Sequence, residues 1–149
     1  MSNIAAARRI LDAVQSHGCD TFVVCGGSRN APIAAALGDR TAYTFIDERS
    51  AAFFALGRIK RDGKPAAVIT TSGTAVAELL PATIEAFYSG APLILITADR
   101  PARFRGTGAP QTIEQSGIFG MYAAGDIAQW SGAMPLHINI EFDEPLIDE

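Results

Sequence analysis

The chain has 149 residues, 48% of them hydrophobic and 19% charged, with a formal net charge of −4. That size suits one domain burying about two thirds of its unfolded surface. The acidic balance argues against nucleic acid or an anionic membrane as main partner, and no apolar run approaches the roughly 20 residues that span a bilayer.

Taken in chain order, residues 3–17 predict a helix, with Ala7, Ile10, Leu11 and Val14 on one face and Gly18 as its stop. TFVVCGG (21–27) is a β-branched apolar run ending in glycines, and NAPIAAALGD (30–39) supplies a short helix with Pro32 in its first turn. AYTFID (42–47) predicts a strand and 48–62 an alanine-rich helix closed by Asp62-Gly63. AAVITTSG (66–73) predicts a strand, 74–90 a helix that Pro81 kinks or breaks, and PLILITAD (92–99) another strand. RPARFRGTGAPQTIEQSGIFG is then a loop, with room for a helix capped by Thr112 and Gln115, and PLHINIEF (135–142) is a last strand.

Strands apolar on both faces that alternate with helices imply a parallel sheet covered on both sides, a three-layer α/β sandwich within one domain spanning 1–149. Cys19 and Cys25 read as reduced core thiols of a cytoplasmic protein. The N-terminal segment holds arginines and no apolar core of a signal peptide. Neither His17 nor His137 has the neighbours of a metal site.

Ligands of open α/β sheets bind beyond the carboxyl ends of the strands. Four such ends carry unusual residues: Gly26-Gly27-Ser28-Arg29-Asn30, Asp47-Glu48-Arg49, Thr71-Ser72-Gly73-Thr74 and Asp99-Arg100-Pro101. The first permits close approach of backbone N–H groups to an anion, or is simply a glycine-rich turn. Glu48 opens a helix, either for favourable dipole electrostatics or as a working carboxylate on a segment that is apolar nearly all round. Ser72 or Thr74 serves as an N-cap, or the small residues admit a ligand to backbone amides. Arg100, Arg103 and Arg105 are solvated, or their guanidinium forks bind carboxylates.

Together GGSRNAP, FIDERSAAFFALG, VITTSGTAVAELLPATIEA, LILITADRP and GAPQTIEQSGIF resemble the N-terminal pyrimidine-binding domain of thiamine-diphosphate-dependent enzymes, over about residues 5–121. HINIEFDEPL is similar to that domain's closing strand. The combination of SRNAP, ADRP and the loop bearing Gln111 resembles the family of 2-succinyl-5-enolpyruvyl-6-hydroxy-3-cyclohexene-1-carboxylate synthases of menaquinone biosynthesis. This resemblance implies a Rossmann-like thiamine-diphosphate-binding fold. It makes Glu48 the catalytic residue that hydrogen-bonds N1′ of the cofactor's aminopyrimidine and promotes its imino tautomer. Decarboxylation of 2-oxoglutarate and addition of the succinyl-semialdehyde carbanion to isochorismate follow, the cofactor doing the carbanion chemistry. Ser28, Arg29, Arg100 and Gln111 are then substrate-binding, and Gly27, Ser72 and Gly73 border the cofactor.

Gly26 stands where the family usually has proline, and residues 122–136 are short for the helix and strand expected before the closing strand. The family's second domain binds Mg2+ and the diphosphate through a GDG motif followed by asparagines. AGDIA (124–128) lacks both the following glycine and the asparagines. The resemblance therefore implies an active site completed by a diphosphate-binding domain in the same or a partner chain. It also implies a homo-oligomer, at least a dimer, and a chain inactive alone that is a fragment of a longer enzyme or one subunit of a split one. Two further readings stay open: a decarboxylase or acetolactate-type domain of the same superfamily, and a non-catalytic Rossmann-like binding or oligomerisation module.

Overall fold

The computed structural model describes residues 1–147. Helix α1 (Asn3–Ser16) leads into β1 (Thr21–Cys25), α2 (Ala31–Ala36), β2 (Ala42–Phe45) and α3 (Glu48–Asp62). Then come β3 (Ala66–Thr70), α4 (Thr74–Ala77), α5 (Leu80–Tyr88), β4 (Leu93–Asp99) and β5 (Leu136–Glu141).

Every strand pairing is parallel and the order is β2-β1-β3-β4-β5. The chain starts in the middle of the sheet, turns outward to β2, and then returns past β1 to build the other half. The order therefore reverses between β1 and β3, the place where α/β sheets open a crevice. All strand carboxyl ends fall along one edge, as the alternation of strands and helices required.

The period-2 pleat divides the buried strand residues between two cores. Phe22, Val24, Ala67, Ile69, Ile94 and Ile96 face α1 and α2, where Ala7, Leu11, Val14, Ile33 and Ala36 meet them. Val23, Cys25, Val68, Leu93 and Leu95 face the other way, against Ala51, Ala55, Leu56 and Ile59 of α3 and Ala82 and Ala86 of α5. Small alanines let these helices lie close to the sheet. β1, β3 and β4 are buried throughout, whereas β2, at an edge, alternates exposed and half-buried residues. Tyr43 and Phe45 of β2 pack their rings on Phe54 of α3, with centroids 5.1 and 4.9 Å apart.

Pro81 breaks the expected 74–90 helix in two. Lacking an N–H to donate, it sits in the first turn of α5, where none is needed, and Glu78-Leu79 separate α4 from α5. The expected helix capped by Thr112 and Gln115 does not form: residues 105–119 are turns and irregular chain. Its glycines at positive φ (Gly106, Gly108 and Gly117) disfavour helix, and Gln115 turns its side chain into the fold. Between that loop and β5 lie two 3-10 turns and one parallel bridge, Ala124 to Leu136.

Candidate functional site

The sheet's switch point falls between the turn after β1 and the turn after β3. A Cβ on Gly27 would lie 2.4 Å from Thr71 Cβ, so only glycine lets these two turns touch. Asn30, fully buried, closes the first turn by donating from Nδ2 to the Cys25 carbonyl at 2.8 Å. Gly73 has φ 84° and ψ −141°, a conformation reserved for glycine, and it begins α4 with no side-chain cap. Ser72 and Thr74 thus do not serve as caps. A Cβ there would come within 3.1 Å of Gln111 Cα, and Gln111 itself holds a positive φ of 53°. Its Nε2 reaches the Ser72 carbonyl at a long 3.5 Å.

The acidic pair after β2 divides its work. Asp47 is the N-cap of α3, accepting the Ser50 N–H at 2.7 Å, and Ser50, through its side chain first and then this N–H, holds the carboxyl below the usual range. Glu48 is the first helical residue and is half-buried. Among the described residues its carboxylate has no hydrogen-bond or ion-pair partner. Asp47 thus accounts for the capping, and leaves Glu48 free. Cys25 ends the neighbouring strand, and burial, with the charges of Glu48 and Asp47, pushes its thiol up to about 12. On the same face of the sheet Thr70 Oγ1 is buried without a partner.

A polar network fills the space beside β4 and β5. Gln115 is fully buried: its Oε1 accepts the Gly73 N–H at 2.9 Å, and its Nε2 donates to the Ala98 carbonyl at 3.0 Å and to Asn139 Oδ1 at 2.8 Å. Asn139 Nδ2 donates to Asp99 Oδ2 at 2.9 Å, and Thr97 Oγ1 donates to Asn139 Oδ1 at 2.8 Å. With its proton so committed, the Thr97 hydroxyl can only accept from His137 Nε2, 2.7 Å away. The hydrogen bonds therefore assign His137 the Nε2–H tautomer. Burial lowers its pKa to about 4, keeping the ring neutral.

The arginines are drawn toward the acidic stretch that follows β5. Arg29 is 5% exposed, with Nη1 donating to the Phe142 carbonyl at 2.9 Å and Nη2 to Glu144 Oε1 at 3.1 Å. Arg103 pairs with Asp143, and Arg105 with both Asp99 and Glu141 at 2.9 Å. Arg100 donates from Nε to the Pro110 carbonyl at 2.9 Å and stands 4.0 Å from Glu144. Of the three arginines after β4, Arg100 is thus the least committed to carboxylates.

The residues singled out in the sequence all lie along the carboxyl edge, in three groups. Gly27, Ser72, Gly73 and Gln111 meet at the switch point, Arg29 and Arg100 meet around Glu144, and Glu48 stands by itself at the end of β2. Ser28 is exposed between the first two groups and makes no side-chain hydrogen bond among the described residues. Sequence reasoning missed Gln115, Asn139 and Glu144. A signal existed for the first two: Thr97 and Asp99, and likewise His137, Asn139 and Glu141, are polar residues at period 2 inside apolar strands. The register sets Thr97 beside Asn139 and Asp99 beside Glu141.

Two touching turns at the switch point, an unpartnered carboxylate and a buried guanidinium along one sheet edge are the features of an α/β domain with a ligand site beyond its strand ends. The chain belongs to the family described as thiamine pyrophosphate enzyme, N-terminal TPP binding domain, whose model matches residues 4–118. It is similar to the 2-succinyl-5-enolpyruvyl-6-hydroxy-3-cyclohexene-1-carboxylate synthase of Bdellovibrio bacteriovorus, 48% identical over 162 positions covering 99% of this chain and 31% of that protein. The synthase of the same name from Akkermansia muciniphila is 52% identical over 143 positions, covering 86% of this chain and 27% of its own. The one from Nocardioides is 47% identical over 159 positions, 99% and 29%. The chain thus spans less than a third of the length of these relatives. The 162 positions aligned with the Bdellovibrio protein exceed the 149 residues here, so that relative carries residues with no counterpart in this chain.

The edge fits the cofactor named by the family. Glu48 keeps an unsatisfied carboxylate at the sheet edge, and the exposed Gly26 and Gly27 leave the backbone of the first turn uncovered. Among the described residues no cluster of His, Cys, Asp and Glu is placed to hold a metal ion, and no helix is long and apolar enough to cross a membrane.

Proposed function

We propose that the chain is the pyrimidine-binding half of a thiamine-diphosphate-dependent transferase that decarboxylates 2-oxoglutarate and adds the succinyl-semialdehyde unit to isochorismate. The observation that carries this reading is Glu48: a half-buried carboxylate at the carboxyl edge with no partner of its own. The names of the relatives supply the product, a 2-succinyl-5-enolpyruvyl-6-hydroxy-3-cyclohexene-1-carboxylate, and the family resemblance of the sequence supplies the substrates.

When bound, thiamine diphosphate supplies the carbanion chemistry. Glu48 would share a proton with N1′ of the aminopyrimidine, its half-buried, unpartnered carboxylate at the start of α3 being left to that nitrogen. Gly27, Ser72 and Gly73 border the cofactor through their backbones. The Gly73 N–H is held by Gln115 and the Gly73 carbonyl accepts the Val76 N–H, so Gly73 contributes shape and not a donor. Arg100 and Arg29 hold the substrate carboxylates, with Ser28 and Gln111 beside them.

Mg2+ and the diphosphate are held by a domain outside this chain, in the same polypeptide or in a partner subunit of a cytoplasmic dimer. Ile46, two residues before Glu48, is fully exposed and Phe53 of α3 is 44% exposed, which supports the packing of another domain over this side of the fold.

The test is Glu48→Gln in the complete enzyme, assayed with 2-oxoglutarate and isochorismate. We expect turnover to be lost while the unfolding midpoint stays that of the wild type. Full activity in that variant overturns the reading, and acetolactate formed from pyruvate by the wild type moves it to the acetolactate branch.

A further inference from the structure

Resting on that reading of Arg29 and Arg100, we propose that Glu144 is a tethered carboxylate that occupies the substrate-carboxylate site and is displaced when an anionic substrate binds. Glu144 Oε1 lies 3.1 Å from Arg29 Nη2 and 4.0 Å from Arg100 Nη1. It hydrogen-bonds one of the two arginines assigned to substrate and stands within ion-pair range of the other.

The two partners differ sharply in environment. The Arg29 side chain is 6% exposed, whereas that of Glu144 is 70% exposed. A buried guanidinium left without an anion is costly. A carboxylate in water loses little on letting go, because exposed ion pairs are weak. The pair therefore keeps Arg29 satisfied while the site is empty and yields to a carboxylate that makes more contacts.

The surroundings allow the exchange without rearrangement. Arg29 Nη1 stays bonded to the Phe142 carbonyl, and Phe142 is fully buried, so the guanidinium keeps its place when Glu144 swings out. The backbone of Glu144 is pinned on both sides. Asn3 Nδ2 donates to the Asp143 and Pro145 carbonyls at 2.7 and 3.0 Å, and Asp143 Oδ1 accepts the Glu144 N–H at 2.9 Å. Only the side chain needs to move. The neighbouring acids differ: Asp143 pairs with exposed Arg103, and Glu141 with Arg105.

The test titrates the chain with 2-oxoglutarate at constant ionic strength and follows the arginine Nε–Hε signals by NMR. The variants are Glu144→Gln, Glu144→Ala, Asp143→Asn and Arg100→Ala, each checked for a folded spectrum. Displacement of an exposed ion pair corresponds to about threefold to fivefold tighter binding in both Glu144 variants, with Asp143→Asn unchanged and Arg100→Ala weaker. Unchanged or weaker binding in the Glu144 variants overturns the proposal, since a carboxylate that only orients Arg29 would make its loss harmful. Equal tightening in Asp143→Asn also overturns it, as a general effect of charge. Where Arg100→Ala still weakens binding in those cases, the arginines remain the anion site. Absence of saturable binding in every variant removes both the anion site and the proposal.

Discussion

Gly73 and Gln115 share one buried hydrogen bond, from the Gly73 N–H to Gln115 Oε1 at 2.9 Å, across 42 residues of sequence. It joins the turn after β3 to the loop that carries Gln111. The same amide reaches β4 through the Ala98 carbonyl and β5 through Asn139. Replacing Gln115 by Leu keeps the bulk and strands the buried Gly73 N–H, while Asn139 Oδ1 keeps only its bond from Thr97. An unsatisfied buried group costs about 1–3 kcal/mol. We therefore expect Gln115→Leu to lower the unfolding free energy by at least that amount, read as a lower urea midpoint at unchanged slope, and to speed amide exchange in residues 106–117. A wild-type midpoint would mean that water or a shifted loop takes over the bonds.

Adjacent glycines in the turn after β1 are expected to differ. Alanine at Gly27 would press its Cβ to 2.4 Å from Thr71 Cβ, whereas nothing lies within 4 Å of a Cβ at Gly26. Neither needs a positive φ, so the contrast is one of space alone. Overpacking of this kind costs about 1–3 kcal/mol. Gly26→Ala should fall within about 0.5 kcal/mol of wild type, as unstrained surface changes do. Thermal unfolding of both variants decides it, and equal midpoints would show that the Thr71 turn yields freely.

Much of the fold was legible because its signals are local. The apolar runs of β1, β3 and β4, the Asp47 and Gly63 ends of α3, and the break at Pro81 each follow from a few neighbouring residues. Glu48 was legible for the same reason, standing where a strand pattern gives way to a helix pattern. The stretch from Arg100 to Pro135 was not. Its shape is set by distant partners: Gln115 by Gly73 and Asn139, Arg105 by Asp99 and Glu141, Arg100 by the Pro110 carbonyl and by a glutamate near the other end of the chain. Gln115 was read as a capping residue because S/T-x-x-E/Q spacing is a local rule, and here a buried tertiary network outcompetes it. For Arg100, Arg103 and Arg105 the sequence leaves solvation and carboxylate binding both open, because nothing local signals that the acids of EFDEP meet them.

His137 makes the stability of this network depend on pH. Its folded pKa of about 4 lies below the ordinary 6.5 because burial disfavours the imidazolium, although Asp99 opposes the shift. Between those two values the unfolded chain binds a proton that the folded chain refuses, so stability is lost as the pH falls from 6.5 toward 4 and is intact above. A depression of this size corresponds to about 3 kcal/mol at the acid end. Protonation would also turn Nδ1 into a donor, while Nε2 goes on donating to Thr97. Gln at this position can keep a donor for Thr97 without titrating. Urea unfolding of the wild type and of His137→Gln at pH 7 and pH 4.5 isolates the contribution, since the carboxylates common to both cancel. We expect the wild type to lose more stability than the variant over that interval, and nitrogen chemical shifts of His137 to report a neutral Nε2–H ring at pH 5.5. Parallel losses in the two proteins would mean that the ring reaches water and titrates as it does in the unfolded chain.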